Sequence, residues 1–412
     1  MSIMTVTSIV VTICALFSYL NYKYIKLPVT IGIMAIALIF STLIMLLEGV
    51  GLNIAPTVNS IMGDIDFSKA VLDGMLSFLL FAGSLHVPGK VLHQEKYVVG
   101  ILALLGTSFS TMLVATLVYN LFPMLGFEIS FINCILFGAL VSPTDPIAVM
   151  AILRKAGVAK SLETKVVGES LFNDGIAIVI FLTVLSISAE GAATPGHVAM
   201  LFLEEAVGGV ILGIVLGSIC LAMVRTVDNY HVVVFITLAT VMGGYEIAKA
   251  IHTSGPIAMV VAGLIVGNIG RSKAMSEKTK EILDNFWELI DEFLNAILFM
   301  LVGFSLLIVE FNQSALIAGI IMVPALLCIR YMSVFIPVTI LQRFRSFSPG
   351  TVNILTWGGL RGGLSLAMCL SLPANDLRDF MLLVVYCIVL FSILVQALTI
   401  GKLAQRYTSP NK

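Results

Sequence analysis

Thirteen apolar runs divide this chain from end to end, at about 3–21, 27–47, 70–87, 97–122, 128–153, 165–187, 198–224, 231–251, 255–270, 287–309, 314–341, 351–372 and 379–401. Runs of this kind approach or exceed the ~20 residues that cross a bilayer core of about 30 Å. No other single feature restricts the fold as much. Inside hydrocarbon every backbone N–H and C=O needs an internal partner, so the crossing segments must be helices or a closed barrel. Runs of this length point to helices. The expectation is an all-α polytopic membrane protein formed as one integral transporter domain, 1–412. The breaks between runs hold Pro, Gly, Asn and charged residues. The two longest gaps, 48–69 and 271–286, are too short for a soluble domain.

Composition agrees, with 59% of the 412 residues hydrophobic and 11% charged, against roughly 25% charged in soluble domains. At a mean hydropathy of +1.06, the surplus apolar surface needs lipid around it. A net charge of −1 with no basic tract offers nucleic acid no footprint. The six cysteines (Cys14, Cys134, Cys220, Cys328, Cys369 and Cys387) fall inside apolar runs and read as small packing residues. The first run begins at Ile3 with no Lys or Arg before it, so it reads as a spanning helix and not as a signal peptide.

Basic residues orient the spans. With the N-terminus outside, 18 Lys and Arg fall in the cytoplasmic loops, among them Lys26, Arg154, Lys155, Lys160, Arg271, Lys273 and Lys412. Only Lys69, Lys249 and Arg378 fall opposite. A wrong span count would scramble that alternation. The expectation is therefore an N-terminus outside, a C-terminus in the cytoplasm, and a multi-pass protein of a plasma membrane, the inner membrane of a prokaryote.

Two further basic residues, Arg330 and Arg361, lie inside spans, as do Asp145, Glu169 and Asp174. An ionisable group near the bilayer centre costs about 2.5–3.5 kcal/mol even on lenient insertion scales, so such groups mark function. Asp145 lies in Ser142-Pro143-Thr144-Asp145-Pro146 of the fifth span, where the two prolines break a helix. Arg361 lies in Gly358-Gly359-Leu360-Arg361-Gly362-Gly363 of the twelfth, where glycine permits a break. By the charge count these spans run in opposite directions. Two such broken helices in opposite halves of a chain mark an inverted-repeat transporter with its site at the midplane. On the sixth span, four-residue spacing sets Ser170 beside Asp174 and Glu169 beside Asn173. Oxygens from Asp174, Asp145, Ser170 and the Thr144 carbonyl would suit Na⁺ or Li⁺, hard ions that take oxygen ligands. One carboxylate that holds either a proton or a cation, but not both, is sufficient for exchange. Glu169 has a simpler reading as half of a structural ion pair, Asp145 as a helix cap, and Arg361 as both structural and electrostatic. The acidic residues Asp73, Glu204, Glu205, Glu246, Asp291 and Glu292 read as interfacial, near span ends.

The three motifs, in this order and spacing, closely resemble signatures of the NhaP/sodium–proton exchanger family, and the resemblance extends over nearly the whole chain. It implies an NhaA-like inverted-repeat fold and a homodimer of Na⁺ (or Li⁺)/H⁺ antiporters that need no cofactor. It also implies an elevator-like core (about 97–187 and 314–401) moving against a dimerisation panel (about 3–87 and 198–309). The family's Asn-Asp pair falls on Asn173 and Asp174, with Asp174 as carrier. Its second acidic position falls on Asp145, its Glu–Arg pair on Glu169 and Arg330, and its glycine-flanked arginine on Arg361. The Asn-Asp branch implies electroneutral exchange. Several relatives carry a glutamate on the third span where this chain has Phe81-Ala82-Gly83, and some have long cytoplasmic tails, whereas this sequence ends about ten residues after its last span.

The nearest alternative is a K⁺/H⁺ or mixed-cation antiporter. A symporter or channel would use the same midplane cavity, but the polar residues concentrate on three or four spans. An intramembrane protease built on Ser365 has no mid-span histidine to serve as base.

Overall fold

Helix follows helix along the residues that the computed structural model describes, 3–49, 67–190, 195–270, 275–345 and 347–408. The expected loop between the second and third runs falls largely outside them, as do Arg271, Lys273 and Lys412. The helices are α1 (Ile3–Leu20), α2 (Val29–Gly49), α3 (Phe67–Leu85), α4 (Gly89–Met124), α5 (Phe131–Val141), α6 (Ile147–Lys155), α7 (Lys160–Glu190) and α8 (Pro195–Arg225). They continue with α9 (Tyr230–Ala250), α10 (Gly255–Gly270), α11 (Glu277–Phe304), α12 (Gln313–Leu341), α13 (Thr351–Trp357), α14 (Gly363–Leu370) and α15 (Asp376–Thr408). Among the described residues, ten helices are long and apolar enough to cross a membrane, and no strand longer than an isolated bridge occurs.

The helix starts carry their own reasons. Side chains of Ser130, Asn229, Ser254, Ser276, Asn312 and Asn375 each accept a backbone N–H of the first turn, supplying a donor's partner that the helix cannot. One boundary departs from expectation. The segment 277–286, read as loop, is the first part of α11. Its charges made it look interfacial, yet Ser276 caps it and its Leu283 is buried, as is Trp287 just beyond it. Trp287 anchors a cluster with Phe81 and Phe78, and its Nε1 donates to Thr237 Oγ1 at 3.1 Å.

The chain leaves helical conformation between Val141 and Ile147 and again between Trp357 and Gly363. Pro143 and Pro146 lack the N–H that would continue the ladder. These two non-helical segments meet. The Asp145 amide donates to the Leu360 carbonyl at 2.8 Å, an isolated antiparallel bridge between them. Glycine makes the approach possible: a Cβ on Gly362 would lie 2.5 Å from Asp145 Oδ2, and one on Gly359 2.7 Å from Arg330 Nε.

Candidate functional site at the helix crossing

Breaking two helices strands carbonyls that would otherwise be bonded within the helix. Both buried arginines serve them. Arg361 donates from Nε to Val141 O, the end of α5, at 2.9 Å, and from Nη1 to Gly359 O at 2.5 Å. Arg330, on α12, donates from Nη2 to Leu355 O in α13 at 3.3 Å. A cation at a helix C-terminus also opposes the negative end of the macrodipole. The other end of the Arg330 guanidinium pairs with Glu169 on α7, and both partners are buried. Glu169 and Arg330 thus tie α7, α12 and α13 together.

One turn along α7, Asn173 is fully buried and grips the other unwound segment. Its Nδ2 donates to Thr144 Oγ1 at 2.8 Å, and its Oδ1 accepts the Thr144 amide at 3.4 Å. The Thr144 hydroxyl also lies 3.1 Å from Ser170 Oγ. Ser142 donates to Gly138 O at 2.7 Å and meets Thr111 and Ser110 at 3.1 and 3.2 Å. The peptide at the break is thereby held by α4 and α7 without a helix of its own.

These bonds divide the predicted site into two layers. Thr144, Ser170 and Asn173 form a buried network behind the crossing. Asp145 and Asp174 are only partly buried, and both face a cavity of about 1130 Å³. Pro143, Pro146, Gly362 and Ser365 line it beside them. Among the described residues, nothing donates a hydrogen bond to Asp174. The geometry therefore joins Asp145 and Asp174 in one cavity, while the Thr144 hydroxyl is occupied by Ser170 and Asn173. Such an arrangement can exchange a proton for a hard cation at a carboxylate without exposing the rest of the crossing.

The cavity also gathers residues that the sequence did not place in the site. Asp284, Glu288, Asp291, Glu292 and Asn295 of α11 line it, and Arg154, Lys155, Lys160 and Lys26 line it as well. Asp284, Glu288, Asp291 and Asn295 recur at steps of four, three and four, one stripe of a helix. That periodicity was the available signal. The third helix contributes Leu79, Leu80 and Gly83 to the wall, with His86 just past its end, but among the described residues no carboxylate, and Ala82 is buried and not part of the lining.

Residues 9–406 match the family described as sodium/hydrogen exchanger, transmembrane. The chain is 47% identical over 402 residues to the Na⁺/H⁺ antiporter NhaP of Pseudomonas aeruginosa, covering 96% of this chain and 95% of that one. It is 35% identical over 347 residues to the Na⁺/H⁺ antiporter NhaH of Halobacillus dabanensis, covering 82% and 83% of the two chains. In structure it is similar to the sodium proton antiporter MjNhaP1 of Methanocaldococcus jannaschii, with a TM-score of 0.78, 18% identity and 100% of each chain covered. At that identity the likeness shows the fold.

Proposed function

From the chain's membership of the sodium/hydrogen exchanger family, we propose that it exchanges Na⁺ or Li⁺ for H⁺, with Asp174 as the group that carries either ion. The observation that carries this reading is the placement of Asp174 and Asp145 in one cavity at the crossing of two broken helices. A cation there meets carboxylate oxygens, as Na⁺ requires, and must displace the proton to bind. Asp145 is the second acidic group of the site. Asn173, Ser170 and Thr144 hold the unwound backbone so that its carbonyls stay available. Glu169, Arg330 and Arg361 are the frame.

Asn173 is neutral and committed to Thr144, so a single carboxylate carries one charge in each direction. Exchange is then one-for-one and electroneutral. The cavity wall combines Asp145 and Asp174 with α3 and α11. Asp145 and Asp174 belong to the core (about 97–187 and 314–401), whereas α3 and α11 belong to the panel (about 3–87 and 198–309). Sliding of one set past the other would change which side of the membrane reaches the carboxylates, an elevator-type cycle. Thirteen crossings result if α5–α6 and α13–α14 each cross once as broken helices and α10 crosses as a short one. The cavity then opens toward Lys26, Arg154, Lys155 and Lys160, the cytoplasmic side, with the N-terminus outside and the protein a homodimer in a prokaryotic inner membrane.

Proteoliposomes holding a pH gradient test this reading when Na⁺, Li⁺ and K⁺ are added in turn, with voltage clamped by valinomycin and K⁺ or left free. Proton movement driven by Na⁺ or Li⁺ and indifferent to voltage is the expected result. A response to K⁺ alone would change the substrate, and silence toward all three from folded protein would overturn antiport.

A further inference from the structure

We propose that the hydroxyl of Ser365 on α14 is a further oxygen ligand for the transported cation, set beside the Asp145 carboxylate in the cavity. This rests on the antiport reading for its ion, and it adds to that reading a side chain from the second broken segment. Ser365 is only 1% exposed, yet it lines the cavity shared by Asp145 and Asp174. Buried hydroxyls normally find partners. Those of Ser142, Ser170, Ser305 and Ser333 all bond within the protein. The Ser365 hydroxyl bonds nothing among the described residues, not even the carbonyl four residues back that a helical serine commonly takes. Nor is it sealed. Thr183 Oγ1, Thr356 Oγ1 and the Tyr386 hydroxyl are unpartnered and closed in by their neighbours, whereas Ser365 Oγ is unpartnered and opens on the cavity.

Its position follows from the start of α14. Gly362 is the N-cap and Ser365 the third residue of the helix, the position whose side chain reaches back toward the N-cap in a capping box. Gly362 lies against Asp145: a Cβ added to it would stand 2.5 Å from Asp145 Oδ2. Residues three apart on a helix carry Cβ atoms about 5–6 Å apart. A hard cation such as Ca²⁺ holds its oxygens at about 2.3–2.6 Å, so two oxygens on one such ion stand at most about 5 Å apart. Ser365 Oγ and the Asp145 carboxylate therefore come within reach of one ion.

The sequence offered Ser170 for this part. Ser170 is not in the cavity lining, and its hydroxyl meets Thr144. Two other hydroxyls line the cavity. Thr164 donates to Lys160 O at 3.0 Å, and Thr30 belongs to the start of α2 near Lys26. Ser365 is the one placed next to Asp145. A hydroxyl oxygen is hard, which suits Na⁺ or Li⁺. It is also neutral, so it completes the ion's shell and leaves the one-for-one charge count unchanged.

Initial rates of Na⁺-driven proton movement in proteoliposomes test the proposal with wild type, Ser365→Ala and Ser365→Cys. Alanine removes the oxygen. Cysteine keeps the volume but offers a soft sulfur, a poor match for a hard ion. Because the hydroxyl bonds nothing in the fold, both variants should keep the wild-type Tm. The apparent KM for Na⁺ should rise roughly fivefold in each, the scale of one neutral polar contact, while kcat changes far less. A wild-type KM in both variants would overturn the assignment. So would a fall in kcat at constant KM, which would make Ser365 part of the moving backbone and not of the ion's shell. Should the alanine variant fold poorly, the cysteine variant decides by the same two criteria. Absence of Na⁺- or Li⁺-driven proton movement in folded wild type would instead overturn the antiport reading, and this ligand with it.

Discussion

Arg361 Nε donates to the carbonyl of Val141 at 2.9 Å, so a side chain from one broken segment caps the helix that ends at the other. A second bond from the same guanidinium to Gly359 O caps its own segment. One buried cation thus neutralises two carbonyl-rich ends at the crossing. Arg361→Ala is expected to lower stability by about 2–4 kcal/mol. Arg361→Lys should recover only part of that, because an ammonium lacks the planar fork that reaches both carbonyls. Thermal unfolding in detergent measures the difference, and an alanine variant as stable as wild type would remove Arg361 from the frame.

Glu169 and Arg330 form a buried ion pair 161 residues apart in sequence. Removing either partner strands the other, at about 3–5 kcal/mol. Glu169→Ala and Arg330→Ala should therefore express poorly or melt early, and the double variant should lose less than the two singles combined. A single variant of normal stability that does not transport would show that the pair belongs to the chemistry.

Much of this frame was legible in the sequence because ionisable residues are conspicuous in apolar runs. Asp145, Glu169, Asp174, Arg330 and Arg361 stood out on that ground alone, and Pro143 with Pro146 marked where the fifth helix stops. The bridge from Asp145 to Leu360 was not legible, since the two lie in separate motifs and nothing local pairs them. The division of labour within the site was equally hidden. Spacing placed Ser170 and Asp174 together, but only the fold shows Ser170 turned toward Thr144 and Asp174 toward the cavity. The acidic stripe of α11 was divided by the reading: Asp284 fell in 277–286, which its charges made resemble a loop, while Asp291 and Glu292 in the span itself read as interfacial.

Gly362 lies against the Asp145 carboxylate, and an added Cβ would fall 2.5 Å from Oδ2 and 2.9 Å from Cβ of Asp145. Gly362→Ala should displace that carboxylate and abolish most Na⁺-driven transport while the protein still reaches the membrane. Transport at the wild-type rate would mean that the carboxylate position is not critical.

Asn173→Ala removes both bonds from Asn173 to Thr144 and keeps the contact of the Thr144 hydroxyl with Ser170. The expected loss of stability is about 1–3 kcal/mol, with a larger proportional loss of transport. Paired measurements of Tm and initial rate check this, and a drop in Tm without loss of rate would confine Asn173 to packing.

Competition for one carboxylate has a kinetic signature. Where the site is mostly protonated, the apparent KM for Na⁺ should rise up to roughly tenfold for each unit of acidification, by mass action. Initial rates over a series of Na⁺ concentrations and pH values give this slope. A KM that does not vary with pH would separate the proton site from the cation site.

If Asp174 carries both ions, Asp174→Asn must stop exchange, because the amide is nearly isosteric and cannot ionise. In proteoliposomes with a pH gradient, the expected result is folded, monodisperse protein with wild-type Tm and no Na⁺- or Li⁺-driven proton movement. Transport retained by that variant would rule out Asp174 as carrier and move that role to another group in the cavity.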